Sequence, residues 1–378
     1  MELDDVCELI VDCEHKTAPV QETGYPSIRT PNIGRGRFLL DGVNRVSEET
    51  YKLWTRRAVP RPGDLIMARE APVGNVAMIH VGLTACLGQR TLLIRPNRLK
   101  VEPSFLNYFL NGPVVQSLIH GKTNGATVAH LNMKDVRTMP LPELPPLPIQ
   151  QRIASILSAY DELIENSQRR IKILESMARG LYREWFVHFR FPGHENLPRV
   201  ASALGEIPEG WVVRRLNEVL ELNYGKALKK EDRRDGEFPV YGSSGIVGAH
   251  DAALANGPGI IVGRKGNVGS IFWSDDDFFV IDTAYFVTSS LPLRYLFYVL
   301  PTLNFINSHA AVPGLSRNQA YALDVLVPPG ALLGRFCELA SVFELQVTTL
   351  NRRIQNLRAT RDLLLPRLLS GQIEVEAT

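Results

Sequence analysis

The chain is written twice, and that repeat limits its fold more than any single motif does. Stretch 64–76, DLIMAREAPVGNV, lies over 259–271, GIIVGRKGNVGSI. The constant offset of 195 pairs Arg69 with Arg264 and Gly74 with Gly269. Upstream, LDDVCEL (3–9) matches LNEVLEL (216–222), and downstream FLNYFL (105–110) matches YLFYVL (295–300). ATVAHLNMKDVRTMPLPELPPL likewise echoes AAVPGLSRNQAYALDVLVPPGAL. The offsets change between these pairs, as they do when a fixed scaffold carries loops of varied length.

Each copy ends in a long heptad stretch. In the first, Ile153, Leu157, Tyr160, Ile164, Ser167, Ile171, Leu174, Ala178, Leu181 and Trp185 alternate steps of four and three. An offset of 183 carries these to Phe336, Ala340, Phe343, Val347, Leu350, Ile354, Leu357, Arg361, Leu364 and Leu368. Two seams in one register predict two helices packed on each other as an antiparallel coiled coil, with Ser167 and Arg361 as polar breaks that fix register or leave room for a partner. Proline-rich punctuation precedes each helix, and Pro366 is expected to kink or end the second. Short β-rich segments fill the rest, among them PSIRTPNI, LIMARE, NVAMIHV and TLLIRP, then FPVYG, GIIVGR, SIFWS and FFVIDTAYFV, with short helices at 103–111 and 292–300. The expected fold is α+β: a β-rich domain over 1–146, a spacer helix over 147–187, a linker and second β-rich domain over 188–330, and a distal helix over 331–373.

At 378 residues the chain exceeds one ordinary core, and 45% hydrophobic residues suit a globular protein. No apolar run approaches a membrane span, and the acidic start MELDDVCELIVD lacks a secretory pattern, so a cytoplasmic protein is expected. Cys7, Cys13, Cys86 and Cys337 are scattered and read as buried thiols in a reducing compartment rather than metal ligands. A net charge of +2 argues against an unspecific polycation but allows basic residues gathered on one face.

The loop GRKGNVG (263–269) invites a phosphate. A P-loop needs a Gly-Lys followed by Ser or Thr at the start of a helix, and here the strand-like SIFWS follows instead. The GKT at 121–123 lacks the motif's first glycine, since Gln116 stands there. Basic and amide residues cluster in both copies: Arg29, Asn32, Arg35, Arg37, Arg69, Lys122, Asn124 and Asn132, then Lys226, Lys229, Lys230, Arg233, Arg234, Arg264, Lys265, Asn267, Arg317 and Asn318. Arg pairs bidentately with guanine, Asn with adenine, and Lys with phosphate, so two such clusters on one repeated scaffold point to duplex DNA. No HExxH, nucleophile elbow, methyltransferase tetrad or nuclease acid cluster occurs, and Asp275, Asp276 and Asp277 form only a weak metal candidate. The chain is expected to perform no chemistry alone.

The residues LPPLPIQQRIASIL (144–157), LYREWFVHFRFPGHE (181–195), LGEIPEGW (204–211) and LLPRLLSGQI (364–373), in this order and with the repeat, resemble the DNA-specificity (S) subunit of type I restriction–modification systems. The resemblance covers nearly the whole chain. It implies two target-recognition domains that each read half of a split, asymmetric DNA sequence, with the helix pair as spacer and as dock for two methyltransferase subunits. The seam from Ile153 to Trp185 would span roughly 50 Å, enough to hold two readers about one helical turn (roughly 34 Å) apart. The partners would use S-adenosylmethionine, and a motor–nuclease subunit ATP and Mg; this chain would bind no cofactor. LGEIPEGW precedes the second copy alone, which leaves the first without that lead-in. Resemblance and composition together place base contacts at Arg29–Arg37 and Lys122–Asn132, Thr127 included, and at Tyr241, Ser243, Ser244, His250, Arg317 and Asn318. Lys226 and Asn267 join the DNA-facing set, and Arg69, Arg264 and Lys265 would grip phosphate. Ile153, Leu157, Ile164, Ile171, Leu174, Trp185, Phe336, Val347, Ile354 and Leu357 would form the seam and its subunit dock. Two other readings remain: a methyltransferase-only assembly, and a coiled-coil scaffold whose ends bind protein.

Overall fold

The run Leu65–Ala68 forms a strand with every side chain buried, which its lack of polar alternation requires. A computed structural model describes residues 1–122, 130–305 and 314–376. It divides into two compact units, Met1–Ser167 with Arg352–Thr378, and Gln168–Asn351.

In the first unit β1 (Cys7–Asp12), β2 (Tyr25–Ile28), β3 (Arg45–Val46), β4 (Leu65–Ala68), β5 (Val76–Met78), β6 (Cys86–Leu87) and β7 (Thr91–Pro96) form two sheets, ordered β1-β7-β4-β5 and β3-β2-β6. The larger sheet is covered on both faces. Leu65, Met67, Leu92 and Ile94 share a core with Phe105, Leu106 and Phe109, whereas Ile66 and Leu93 pack with Ile28, Ile33 and Leu87. Alternate residues of one strand thus feed two cores. Around the sheets lie α1 (Glu48–Trp54), α2 (Pro103–Asn111), α3 (Pro113–Gly121) and α4 (Met133–Arg137). From here α5 (Leu147–Tyr182) begins, with Pro148 in its first turn where a missing N–H costs nothing.

The second unit opens with the hairpin β8 (Arg199–Ser202) and β9 (Gly205–Pro208), then β10 (Val212–Arg215) and α6 (Leu216–Val219). Next come β11 (Leu220–Tyr224), β12 (Phe238–Gly242), β13 (Gly245–His250), β14 (Gly259–Gly263), β15 (Ile271–Ser274), β16 (Phe279–Val280) and β17 (Ala284–Ser289). α7 (Leu293–Val299), α8 (Arg317–Tyr321), β18 (Asp324–Val327) and α9 (Gly330–Leu369) complete the order. Its two larger sheets run β11-β17-β14-β15 and β13-β12-β16, strand for strand the plan of the first unit's sheets, and β10 pairs with β18 beside them. The parallel pairs agree as well, β2 with β6 and β12 with β16. The repeat is therefore a repeat of topology, and the α+β expectation holds. The β8–β9 hairpin pairs with itself, and its second strand carries part of the LGEIPEGW stretch that leads into the second copy.

Along the helices Ile153, Leu157, Ile164, Ser167 and Trp185 are buried, as are Phe336, Leu350, Ile354 and Leu368. Ile171, Leu174, Val347 and Leu357 are half-buried. In the first unit the helices run antiparallel, since Leu157 shares a core with Leu368 while Asp161 meets Arg361; in the second, Trp185 and Tyr182 both pack on Phe336. Each unit takes part of both helices. One expectation changes. Pro366 does not end α9, which continues to Leu369; Leu364, Leu365, Leu368 and Leu369 pack into the first unit's core and hold the last turn.

Candidate nucleic-acid interface

The central strand of each large sheet ends in the repeat arginine. Backbone bonds show that the two ends superpose in register. Arg69 N donates to Arg90 O and Arg264 N to Thr283 O, each at 2.9 Å. Leu131 N donates to Arg69 O at 3.0 Å, and Leu315 N to Arg264 O at 2.8 Å. Gly74 N and Gly269 N close the following turns on Ala68 O and Gly263 O. The turn glycines are required: Gly74 and Gly269 have φ of 83° and 74°, and a Cβ on Gly263 would stand 2.1 Å from Asn267 O. The loop after Arg264 joins β14 to β15, as its strand-like flank predicts, and opens no helix.

The side chains part company. Arg69 is only 6% exposed. Its Nη1 pairs with Asp12 Oδ2 at 2.6 Å, its Nε donates to Leu131 O at 2.9 Å, and its Nη2 lies 3.0 Å from His130 Nε2. Since arginine only donates, His130 Nε2 is the acceptor, and its Nδ1 carries the proton toward Glu70 Oε1 at 3.0 Å. Glu70 in turn pairs with Arg90 at 2.6 Å. This chain of charges turns inward, so Arg69 is a structural arginine and not a phosphate grip. Arg264 instead lies over the rings of Tyr224 at 4.9 Å and Tyr285 at 5.6 Å, with a bond of 3.2 Å to Asp282 O and a side-chain bond to Tyr285. Arg317 lies over the same Tyr224 ring at 5.1 Å and donates to Leu222 O at 3.3 Å. Among the described residues no carboxylate pairs with either guanidinium.

The other candidates divide by exposure. Arg29, Arg35 and Arg37 are exposed on one loop, as are Asn132 before α4, Lys226, Lys265, Ser244, Asn267 and Asn318. Lys265 sits 3.4 Å from Asp282, and Asn267 donates to Ser244 Oγ at 3.0 Å. Asn32 braces its own loop, accepting from Arg29 N at 3.1 Å and donating to Leu39 O at 3.2 Å. Lys122 reaches Thr138 O at 3.4 Å. Asn124 and Thr127 lie outside the described residues. Tyr241, Ser243 and His250 are corrections to the base-contact set. Tyr241 packs edge-on against Phe278 and donates to Trp273 O at 3.2 Å, and burial pushes its hydroxyl pKa up. His250 accepts from Arg234 N at 3.1 Å, and Ser243 receives the Ser270 hydroxyl on its carbonyl at 2.6 Å. The β12–β13 hairpin turns these three inward.

The acidic run is also committed: Asp275 accepts from Trp273 Nε1 and Thr348, and Asp277 from Gly257 N. Asp12, Cys13 and His15 come close enough to suggest a metal, but Asp12 Oδ2 already binds both Arg69 and His15. The Cys7 thiol pKa is pushed up to about 12, chiefly by burial and then by Asp4. Among the described residues no helix is long and apolar enough to cross a membrane.

A second repeated feature, absent from the sequence reading, anchors each domain to the helices. Tyr108 on α2 donates to Asp161 Oδ2 at 2.6 Å, and Tyr298 on α7 donates to Glu344 Oε1 at 3.1 Å. Asp161 and Glu344 are related by the same offset of 183 as the heptad seams. The counter-ion differs: Arg361 of α9 pairs with Asp161, and Arg294 of α7 pairs with Glu344. Arg361, a polar break in the seam, is thus a docking contact of the first unit.

Residues 1–176 and 208–318 match the family model described as type I restriction modification DNA specificity domain. Among similar proteins is the type I restriction enzyme MjaIX specificity subunit of Methanocaldococcus jannaschii, 24% identical, covering 90% of this chain and 84% of that protein. The MjaVIII specificity subunit of the same organism is 26% identical over 54% of this chain and 44% of its own length. The crystal structure of a type I restriction-modification system S subunit from M. genitalium shares the fold, with a TM-score of 0.62 at 17% identity, covering 100% of this chain and 96% of that one.

Proposed function

The chain belongs to the type I restriction–modification DNA specificity family, and from that premise we propose that it reads a split, asymmetric duplex sequence, one half per unit. It is a specificity subunit, not an enzyme by itself. The observation that carries the two-part target is the repeated sheet plan, each copy with its own exposed basic loop residues: Arg29, Arg35 and Arg37 in one, Lys226 and Lys265 in the other. Exposed Arg and Asn suit base edges, and Lys suits the backbone. The long helices serve as spacer, so their length sets the unspecified gap. Because the seam residues are buried or half-buried, docking of two methyltransferase subunits falls to more exposed outer positions such as Ile173, Met177, Leu339 and Val342. Those partners use S-adenosylmethionine and flip the target adenine; a motor–nuclease partner uses ATP and Mg. Co-expression with the methyltransferase partner, followed by mapping of methyladenine, tests this. Two short specified segments around an unspecified gap support the reading, and one contiguous motif refutes it.

A further inference from the structure

Four replacements surround the repeat arginine, and together they turn it outward in the second unit. Pairing register sets Tyr224 at the place of Asp12: Asp12 faces Leu92 across its ladder, and Tyr224 faces Tyr285. Leu92 and Tyr285 are themselves equivalent, because Met67 and Val262, one offset of 195 apart, pair with them. The first unit's carboxylate acceptor for the arginine is therefore a phenol ring in the second. The Leu131 carbonyl receives Arg69 Nε, whereas the matching Leu315 carbonyl receives the Tyr285 hydroxyl at 3.1 Å. That second acceptor is thus also withdrawn from Arg264. By the offset that relates Leu131 to Leu315, Gly314 replaces His130 and Arg317 replaces Met133, which adds a second guanidinium.

We propose that Tyr224, with Arg264 and Arg317 stacked on it, forms an anion subsite for a backbone phosphate of the duplex, one that has no counterpart among the described residues of the first unit. The proposal rests on the DNA-reading function above and reassigns Arg317 from base to phosphate contact. Tyr224 is 49% exposed, so the stack stands at the surface. Stacking on a ring holds a guanidinium without neutralising it, leaving N–H groups free to face an incoming anion. A carboxylate at the same place holds the arginine and also cancels its charge, as Asp12 does for Arg69. Tyr224 is a positioning residue: it prepares the two cations and need not itself touch DNA.

Salt-titrated binding of the full-length chain to a duplex with the mapped methylation site, and to a scrambled duplex, tests this. Tyr224→Phe keeps the ring and should bind within about twofold of wild type. Tyr224→Asp restores the first unit's arrangement and should weaken binding about tenfold on both duplexes, with a salt slope flatter by about one to two. Arg317→Met, the first unit's residue at that place, should flatten the slope by about one with an unchanged melting midpoint. It decides the matter should Tyr224→Asp fail to fold. Wild-type affinity and slope in either folded variant, or a loss confined to the mapped site, would overturn the subsite while leaving the DNA-reading function intact. Absence of salt-dependent binding by the wild-type chain overturns both.

Discussion

The two units agree where they meet the helices and differ where their sheets end. At the helices a tyrosine donates to a carboxylate in both, with only the source of the counter-ion exchanged. At the sheet ends one arginine, fixed in the same register, is an internal ion pair in the first unit and a surface cation in the second. The lesson is that a repeated residue keeps its backbone place while its neighbours decide its chemistry. Docking geometry must fit two helices of one register, which restrains it. Loop tips are not bound by that fit and are free to diverge.

The comparison breaks most visibly at Asp12. Asp12→Ala leaves Arg69 buried without its counter-ion and should cost roughly 3–5 kcal/mol, read as an early denaturant transition. Unchanged unfolding would mean that Arg69 is not the structural residue described. Tyr108→Phe removes a bond to a charged acceptor and should cost about 1.5 kcal/mol. Tyr298→Phe, whose bond is longer at 3.1 Å, should cost no more than that; a clear reversal of the order would unseat the repeated anchor. The smallest effect concerns Cys7, for which the second unit has Leu220. Its folded pKa of about 12 lies above the usual thiol value of about 8.5, so the neutral thiol is favoured in the fold. That contribution is complete below the unfolded pKa and is lost as pH rises from there toward the folded value. Alkylation near pH 8 should therefore leave Cys7 unlabelled until the chain unfolds, and rapid labelling of the native protein would contradict this.

Much of this plan is legible in the sequence, because topology is written in long-range repetition: the offset of 195 marks two equivalent central strands, and the shared heptads mark two helices. Burial on both faces shows in apolar runs such as Leu65–Ala68. What escapes is direction and partner. Tyr241 and His250 read as loop residues but point inward from a hairpin. Tyr224 escapes for a geometric reason. Ungapped alignment of LDDVCEL with LNEVLEL sets it over Val11, and only the register shift between Cys7 and Leu9 brings Asp12 to its place. A bulge leaves no mark in composition, yet it decides which side chain meets the arginine. The Tyr108–Asp161 and Tyr298–Glu344 bonds are invisible for the same reason, since each joins residues far apart in the chain.

Arg264→Ala measured beside Arg69→Ala, by melting and by DNA binding across a salt series, tests the central claim most directly. Arg264→Ala should keep the melting midpoint, bind about tenfold more weakly on all sequences alike, and flatten the salt slope by about one. Arg69→Ala should lower the melting midpoint and lose binding only as far as it loses fold. A changed sequence preference in Arg264→Ala, or a folded Arg69→Ala with the same flattened slope, would contradict the account.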